Sequence, residues 1–327
     1  MLPLRKYTAL ALPAFDDTFF QAQAQNGAQW APAETGSHSL KWLIPSGWLP
    51  AQVEGANVAD GFSTLAAARA EDDSGAMVLR WSPCPTPVDP GDFLDAAIPY
   101  TATHACAYQR DHGAVAERSV YPKDAIRTDT ALWTPAGLFW FSGHSASTND
   151  AARNALRILG HTIIFTEAAE EGPERVKVQS KHHPIAWSQS PETNVHDTPQ
   201  NTELTFGSNG QLQITVSPID PAQGPARAIN TAMVQAHQTH GRLVPGTLQQ
   251  LELTWPESQW SDKVRIRCAK SPSNREVVLI AGTVGEDGPI LIEAHYPARE
   301  ADTFAWLAAR KELTEVVLSM APAHRTD

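Results

Sequence analysis

The sequence predicts an α+β fold made of two tandem repeats, each an antiparallel sheet covered by helices. Three observations predict it. Short segments recur in a fixed order. Pro45-Ser46-Gly47-Trp48 is echoed by Pro184-Ile185-Ala186-Trp187, and Val78-Leu79-Arg80-Trp81-Ser82-Pro83 by Gln213-Ile214-Thr215-Val216-Ser217-Pro218. Phe139-Trp140-Phe141-Ser142-Gly143-His144 is echoed by Ile290-Leu291-Ile292-Glu293-Ala294-His295. A repeat constrains architecture before any single residue is interpreted. Second, successive strand-like runs are joined by hairpin-length links, which pair strands antiparallel, since parallel strands need long crossovers. Third, helix-period runs stand at two places in each half, where they can cover the sheet.

Residues 1–38 read as an N-terminal extension, with a short strand in Tyr7–Leu12 and a helix over Asp16–Gln29. The first repeat is expected at 39–166. Leu40-Lys41-Trp42-Leu43-Ile44 is a strand ended by Pro45 and Gly47, and Phe62–Ala70 fits strand or helix. Ala76–Trp81 is a strand stopped by the run Pro83, Pro85, Pro87, Pro90. Asp92–Ala107 places Phe93, Ala96, Ala97 and Tyr100 at helical spacing, with Pro99 expected to kink or shorten it. Ala114–Tyr121, Ala125–Trp133 and Leu138–Ser142 follow as strands, the last two joined through Thr134-Pro135-Ala136-Gly137. Thr148 or Asn149 caps a helix whose apolar face is Ala152, Ala155, Leu156 and Leu159.

Residues 167–182, rich in glutamate and carrying Gly172-Pro173, read as a solvated linker. The second repeat is expected at 183–321, followed by a tail at 322–327. Leu212, Ile214 and Val216 alternate as a strand, and Pro225 opens a helix to about Gln238 with Ala228, Ile229, Ala232 and Val234–Ala236 inward. Thr247–Trp255, Lys263–Ala269, Glu276–Thr283 and Pro289–Tyr296 are strands, and Gly285–Gly288 is a hairpin turn. Ala301–Leu313 is the closing helix, with Phe304, Leu307 and Ala308 inward and Val316-Val317-Leu318 as a separate apolar tag.

The 327 residues suit two domains, and 42% hydrophobic with 19% charged content marks a folded chain. With 25 Lys and Arg against 36 Asp and Glu, the net charge of −11 argues against nucleic acid, whose binding needs clustered cations. It also disfavours anionic membrane surfaces, and no apolar run is long enough to insert in a membrane. The three cysteines lack C-x-x-C spacing and fit free thiols in a reducing, cytoplasmic setting. The N-terminal stretch Arg5–Phe15, broken by Pro13, reads as mature sequence rather than a leader.

The order of elements resembles the Mog1/PsbP-like superfamily, including its DcrB-type bacterial proteins. The residues that carry the resemblance are Pro45-Ser46-Gly47-Trp48 and the helix after Ser82-Pro83. With them stand the closing helices ending in His161-Thr162-Ile163-Ile164-Phe165 and Thr314-Glu315-Val316-Val317-Leu318-Ser319. Members of that superfamily are mostly binding or adaptor proteins, and one branch resembles chaperones that hold apolar segments of type VI secretion effectors. The resemblance implies a protein partner and assigns no functional residue. Two copies in one chain depart from the single-domain pattern, so the tandem would stand in for a dimer.

Candidate site residues are few. His144 and His295 fall at matching places in the repeated segments, suiting a shared buried hydrogen bond or a binding surface used twice. Trp140 lies on the same segment as His144, in an apolar run that equally suits the core. His237 and His240 share a helix face, as residues three apart do. Zinc would need two further ligands, so neither a metal nor any other cofactor is expected. Gly143-His144-Ser145-Ala146-Ser147 approaches a nucleophile elbow but lacks its second glycine, and the second repeat has no serine there. No catalytic residue is therefore assigned. The expected function is a non-enzymatic cytoplasmic adaptor or chaperone that binds a protein with apolar segments. The alternative is a small-molecule binder or hydrolase with its site between the repeats.

Overall fold

A computed structural model describes residues 17–35, 38–51, 61–84, 86–98, 102, 104–110, 113–120, 125–146, 150–162, 164–165, 174–207, 210–244, 251–253, 260, 264–284 and 288–323. The chain divides into two compact units, Tyr7–Gly172 and Pro173–Asp327. The strand expected at Tyr7–Leu12 lies outside the described residues.

The first unit begins with helix α1 (Asp17–Gln25) and strands β1 (Gln29–Thr35), β2 (His38–Ile44) and β3 (Trp48–Ala51). β4 (Ser63–Ala70) resolves the ambiguous run as a strand, and β5 (Gly75–Ser82) follows it. Helix α2 (Pro90–Ala97) starts where Asp89 accepts a hydrogen bond from the Asp92 amide at 2.9 Å, with proline in the first turn. The expected helix to Ala107 is corrected. Ile98 is already extended, as a residue before proline tends to be, and His104–Arg110 form strand β6. β7 (Gly113–Val120), β8 (Ile126–Thr134), β9 (Gly137–Ser145), helix α3 (Asp150–His161) and β10 (Ile164–Phe165) complete the unit.

The second unit starts inside the segment read as a linker, with β11 (Val176–Gln179) paired to β12 (Ile185–Gln189). β13 (Thr193–Asp197) and β14 (Thr202–Phe206) come next; sequence reading assigned neither. They are followed by β15 (Leu212–Pro218), helix α4 (Gly224–His240), β16 (Leu251–Leu253), β17 (Val264–Lys270), β18 (Arg275–Thr283) and β19 (Pro289–Pro297). Asp302 caps helix α5 (Thr303–Ser319), which absorbs the supposed tag Val316-Val317-Leu318. β20 (Ala321–Pro322) then pairs with β12.

Among the described residues all pairings are antiparallel, so the fold is α+β. In the first unit the large sheet has the order β3-β4-β5-β9-β8-β7-β6, beside a small sheet β1-β2-β10. In the second the orders are β13-β14-β15-β19-β18-β17-β16 and β11-β12-β20. Position for position the two orders are the same. In the first unit, adjacent residues of β7 show how the helices lie. Arg118 meets Asp95 of α2 at 2.9 Å, whereas Glu117 meets His161 of α3 at 2.7 Å. Neighbours on a strand point to opposite faces, so α2 and α3 cover opposite faces of the sheet.

The core of the first unit fills the α3 face. Leu40, Trp42 and Ile44 of β2 pack with Leu79, Phe139, Phe141, Leu156 and Leu159, all buried. In the second unit Ala228, Ile229, Ala232, Met233 and Ala236 of α4 pack on Val277, Leu279 and Ala281. Val234, expected inward, is 56% exposed, because Met233 takes the helical position facing the sheet.

Candidate functional site

Strand alternation builds one side of the polar site in the second unit. Glu293 and His295 are two apart on β19, so they share a face, and their partners across the sheet include Leu279 and Val277 of the α4-covered surface. His240 arrives from the last turn of α4, directly before Gly241, whose φ of 77° ends the helix. Its ring lies 4.5 Å from that of His295, tilted by 46°. His295 Nε2 is 2.7 Å from Glu293 Oε1. His295 Nδ1 is buried with no hydrogen-bond partner. One donor atom each from His240, Glu293 and His295 lie within 4.8 Å of one another. Burial lowers the His240 pKa, as do the nearby His295 and Arg275, while Glu293 opposes them. Arg275 Nη2 donates to the His295 carbonyl at 3.3 Å.

The structure thus brings together two of the five candidates, His240 and His295. It turns His237 away: its Nδ1 accepts from the Leu243 amide at 3.1 Å and caps the loop after α4. It also places Trp140 and His144 in the other unit. Trp140 is a structural wall. Its ring packs edge-on against Phe62 and Phe93 at 5.8 and 5.6 Å, and its Nε1 donates to Asp129 at 3.0 Å. The Arg80 guanidinium stacks 4.9 Å over its centroid. His144 is exposed, opposite Ala76 and Arg127.

The supposed equivalence of His144 and His295 is corrected by the registers. His295 stands opposite Gln213 and Val277, as Ser142 stands opposite Val78 and Asp129. If Val78 is matched to Gln213, as the repeated segment places them, Ser142 and not His144 is the counterpart of His295. Ser145 of the elbow-like run is a buried β9 residue, and Ser147 lies outside the described residues. Burial pushes the Cys84 thiol up to about 12 and that of Cys268 to about 11, so neither supplies a thiolate near neutral pH. Glu293 is the residue that sequence reading missed. Its signal was present, since a Glu-x-His pair on a strand shares one face.

The second unit also holds an open cavity of about 250 Å³. Its walls are mostly apolar and include Ile185, Val216, Pro218, Ile219, Pro221 and Ile290.

No family model matches the chain, and no curated protein matches it. Among solved structures, it is similar at 11% identity to DynU16, a protein of the dynemicin biosynthetic locus, with 74% of this chain and 95% of that one covered and a TM-score of 0.15. A Thermobifida fusca YX protein described as a thioesterase II shows 10% identity, coverage of 68% and 93%, and a TM-score of 0.12. At these scores neither likeness bears on fold or function.

Proposed function

We propose that this protein is a non-enzymatic, cytoplasmic binding protein, an adaptor or chaperone built from two tandem Mog1/PsbP-like units, whose ligand is a protein with apolar segments. The observation that carries the reading is the cavity beside β15 and β19. Apolar side chains and several prolines line it, and His183 and Ser217 are its polar residues. Such a wall binds by desolvating apolar surface and offers little to orient a reacting group. A cavity of about 150 Å³ holds a benzene ring, so 250 Å³ admits an aromatic or long aliphatic side chain. The matching strand orders support a duplicated module, and two tethered units would raise the effective concentration for a ligand with two apolar segments.

The test is affinity capture of the full chain from its native cytosol, with partners quantified by mass spectrometry. Ile219→Glu, at the cavity wall, is captured in parallel after its melting curve shows that it folds. One dominant protein partner, depleted at least tenfold by Ile219→Glu, is the expected result. A protein that captures nothing, or that carries a small molecule in native mass spectra, overturns the reading.

A further inference from the structure

We infer that His240, Glu293 and His295 form a binding site for one first-row divalent cation of the zinc class. Nothing in the adaptor reading requires it, and the inference stands apart from that reading.

The donor chemistry comes first. Two imidazoles suit zinc and its transition-metal neighbours, whereas calcium and magnesium take oxygen ligands. Geometry comes next. His240, Glu293 and His295 each bring an atom within 4.8 Å of the others on a strand and a helix end, which are rigid supports. Ligands about 2.0 Å from a tetrahedral zinc stand about 3.3 Å apart. A spacing within 4.8 Å is short enough for side-chain rotation to bring donors onto one ion.

The strongest feature is the state of His295. An ionised Glu293 can only accept, so the 2.7 Å contact places the proton on Nε2. The Nδ1 lone pair is then left buried with no partner. Polar atoms in such positions are rare without an ion or water to meet them. A cation at Nδ1 supplies the missing partner. Glu293 stays on Nε2 and fixes the ring's tautomer, as carboxylates behind metal-bound imidazoles do, so it supports the ion from behind His295 and is not itself a ligand. His240 closes the site from the facing helix end. Arg275 donates to the His295 carbonyl at 3.3 Å. The two imidazole ligands leave coordination positions for water or an anion.

The test uses the tag-free full chain, stripped of metal and titrated with Zn²⁺ by calorimetry, with Co²⁺ absorbance as a second readout. The expected result is a zinc equivalent of micromolar or tighter affinity, weakened at least about tenfold by His240→Ala, by His295→Gln and by the isosteric Glu293→Gln. His144→Ala, an exposed histidine of the other unit, should leave that equivalent unchanged. Melting curves of the metal-free variants show that each is folded, and His240→Ala, at a partly exposed helix end, is the safest. No zinc binding by the parent chain at tens of micromolar overturns the inference. So does binding that survives both His240→Ala and Glu293→Gln.

Discussion

The two units place different chemistry at the same point of the same frame. Glu117 on β7 faces Thr130, which faces Phe141; Cys268 on β17 faces Val278, which faces Ala294. With Val78 matched to Gln213, as the repeated segment places them, the two residues are counterparts, a carboxylate in one unit and a thiol in the other. Arg157 and Arg310 each stand eighth in the closing helix. In the first unit one oxygen of Glu117, Oε2, lies 3.8 Å from Arg157 Nε and 2.7 Å from His161 Nε2, while Oε1 accepts from the Ser119 hydroxyl at 3.1 Å. In the second unit Arg310 stacks 4.7 Å over Trp306, and the buried carboxylate has moved to the helix itself. Glu312 accepts from Arg175 at 2.8 Å, from the Ser190 amide at 2.9 Å and from Thr193 at 3.0 Å. Strand order and apolar faces define the frame; ion pairs are fitted wherever that frame can enclose both partners.

The largest effect expected from breaking this comparison is at Glu117, which is 1% exposed. Glu117→Gln leaves His161 and Arg157 buried or half-buried without their counter-charge and should cost about 3 kcal/mol in denaturant unfolding. Acid should act on the same residue. Burial pushes its carboxyl up, but His161, Arg157 and Ser119 outweigh burial and hold it down at about 2. The pKa is depressed, so its contribution is full above about 4.5 and is lost as pH falls towards about 2. The counterpart Cys268 behaves in the opposite sense. Burial raises its thiol from 9.0 to about 11, so its contribution is present below 9.0 and lost as pH rises through that window. Melting curves between pH 2 and 5 should therefore lose part of their acid sensitivity in Glu117→Gln, the rest coming from other carboxylates held low, such as Asp197 and Glu315. Unchanged acid sensitivity would show that the His161 pair contributes nothing.

A smaller effect is expected at Glu312. Glu312→Gln keeps an acceptor for the Ser190 amide and Thr193 but loses the charge that meets Arg175, whose side chain is 29% exposed. A cost of about 1–2 kcal/mol follows, below that at Glu117, because water can reach the orphaned arginine. Equal costs at the two sites would remove the distinction between a sealed pair and one with an outlet to solvent.

Much of the frame was legible in the sequence. The β8–β9 hairpin, the closing helices and the long helix after Ser217-Pro218 carry clear periodicity and turn residues. What was lost had physical reasons. The strands β13 and β14 are five residues each and half-polar; β14 is buried on alternate positions only, and in β13 only Thr193 is buried. In β19, matching His144 to His295 disagrees by two residues with matching Val78 to Gln213. A slip of one residue would exchange the faces, but a slip of two keeps every apolar residue on its own side. Hydrophobic pattern cannot detect it; only the cross-strand pairing can. The candidate site was half visible for the same reason. His240 and His295 were named separately, but their meeting depends on where a helix end crosses a sheet. The sequence spacing of His237 and His240 instead drew attention to a pair that the structure separates.

The smallest effect expected concerns the turns. Among the described residues, Asp73 and Asn274 are the non-glycine residues at positive φ, 57° and 54°, one in each unit. Asparagine and aspartate tolerate this left-handed region better than other residues with side chains. Asp73 also pairs with Arg69 at 3.1 Å, but the two side chains are 75% and 57% exposed. Asp73→Asn places at the β4–β5 turn the residue type that the second unit carries at its β17–β18 turn. It keeps the backbone preference and removes only the exposed pair, so the change should stay within about 0.5 kcal/mol in denaturant unfolding. A loss above about 1 kcal/mol would mean that the surface pair holds the β4–β5 turn in place, and ion pairing would then shape the frame itself as well as furnish it.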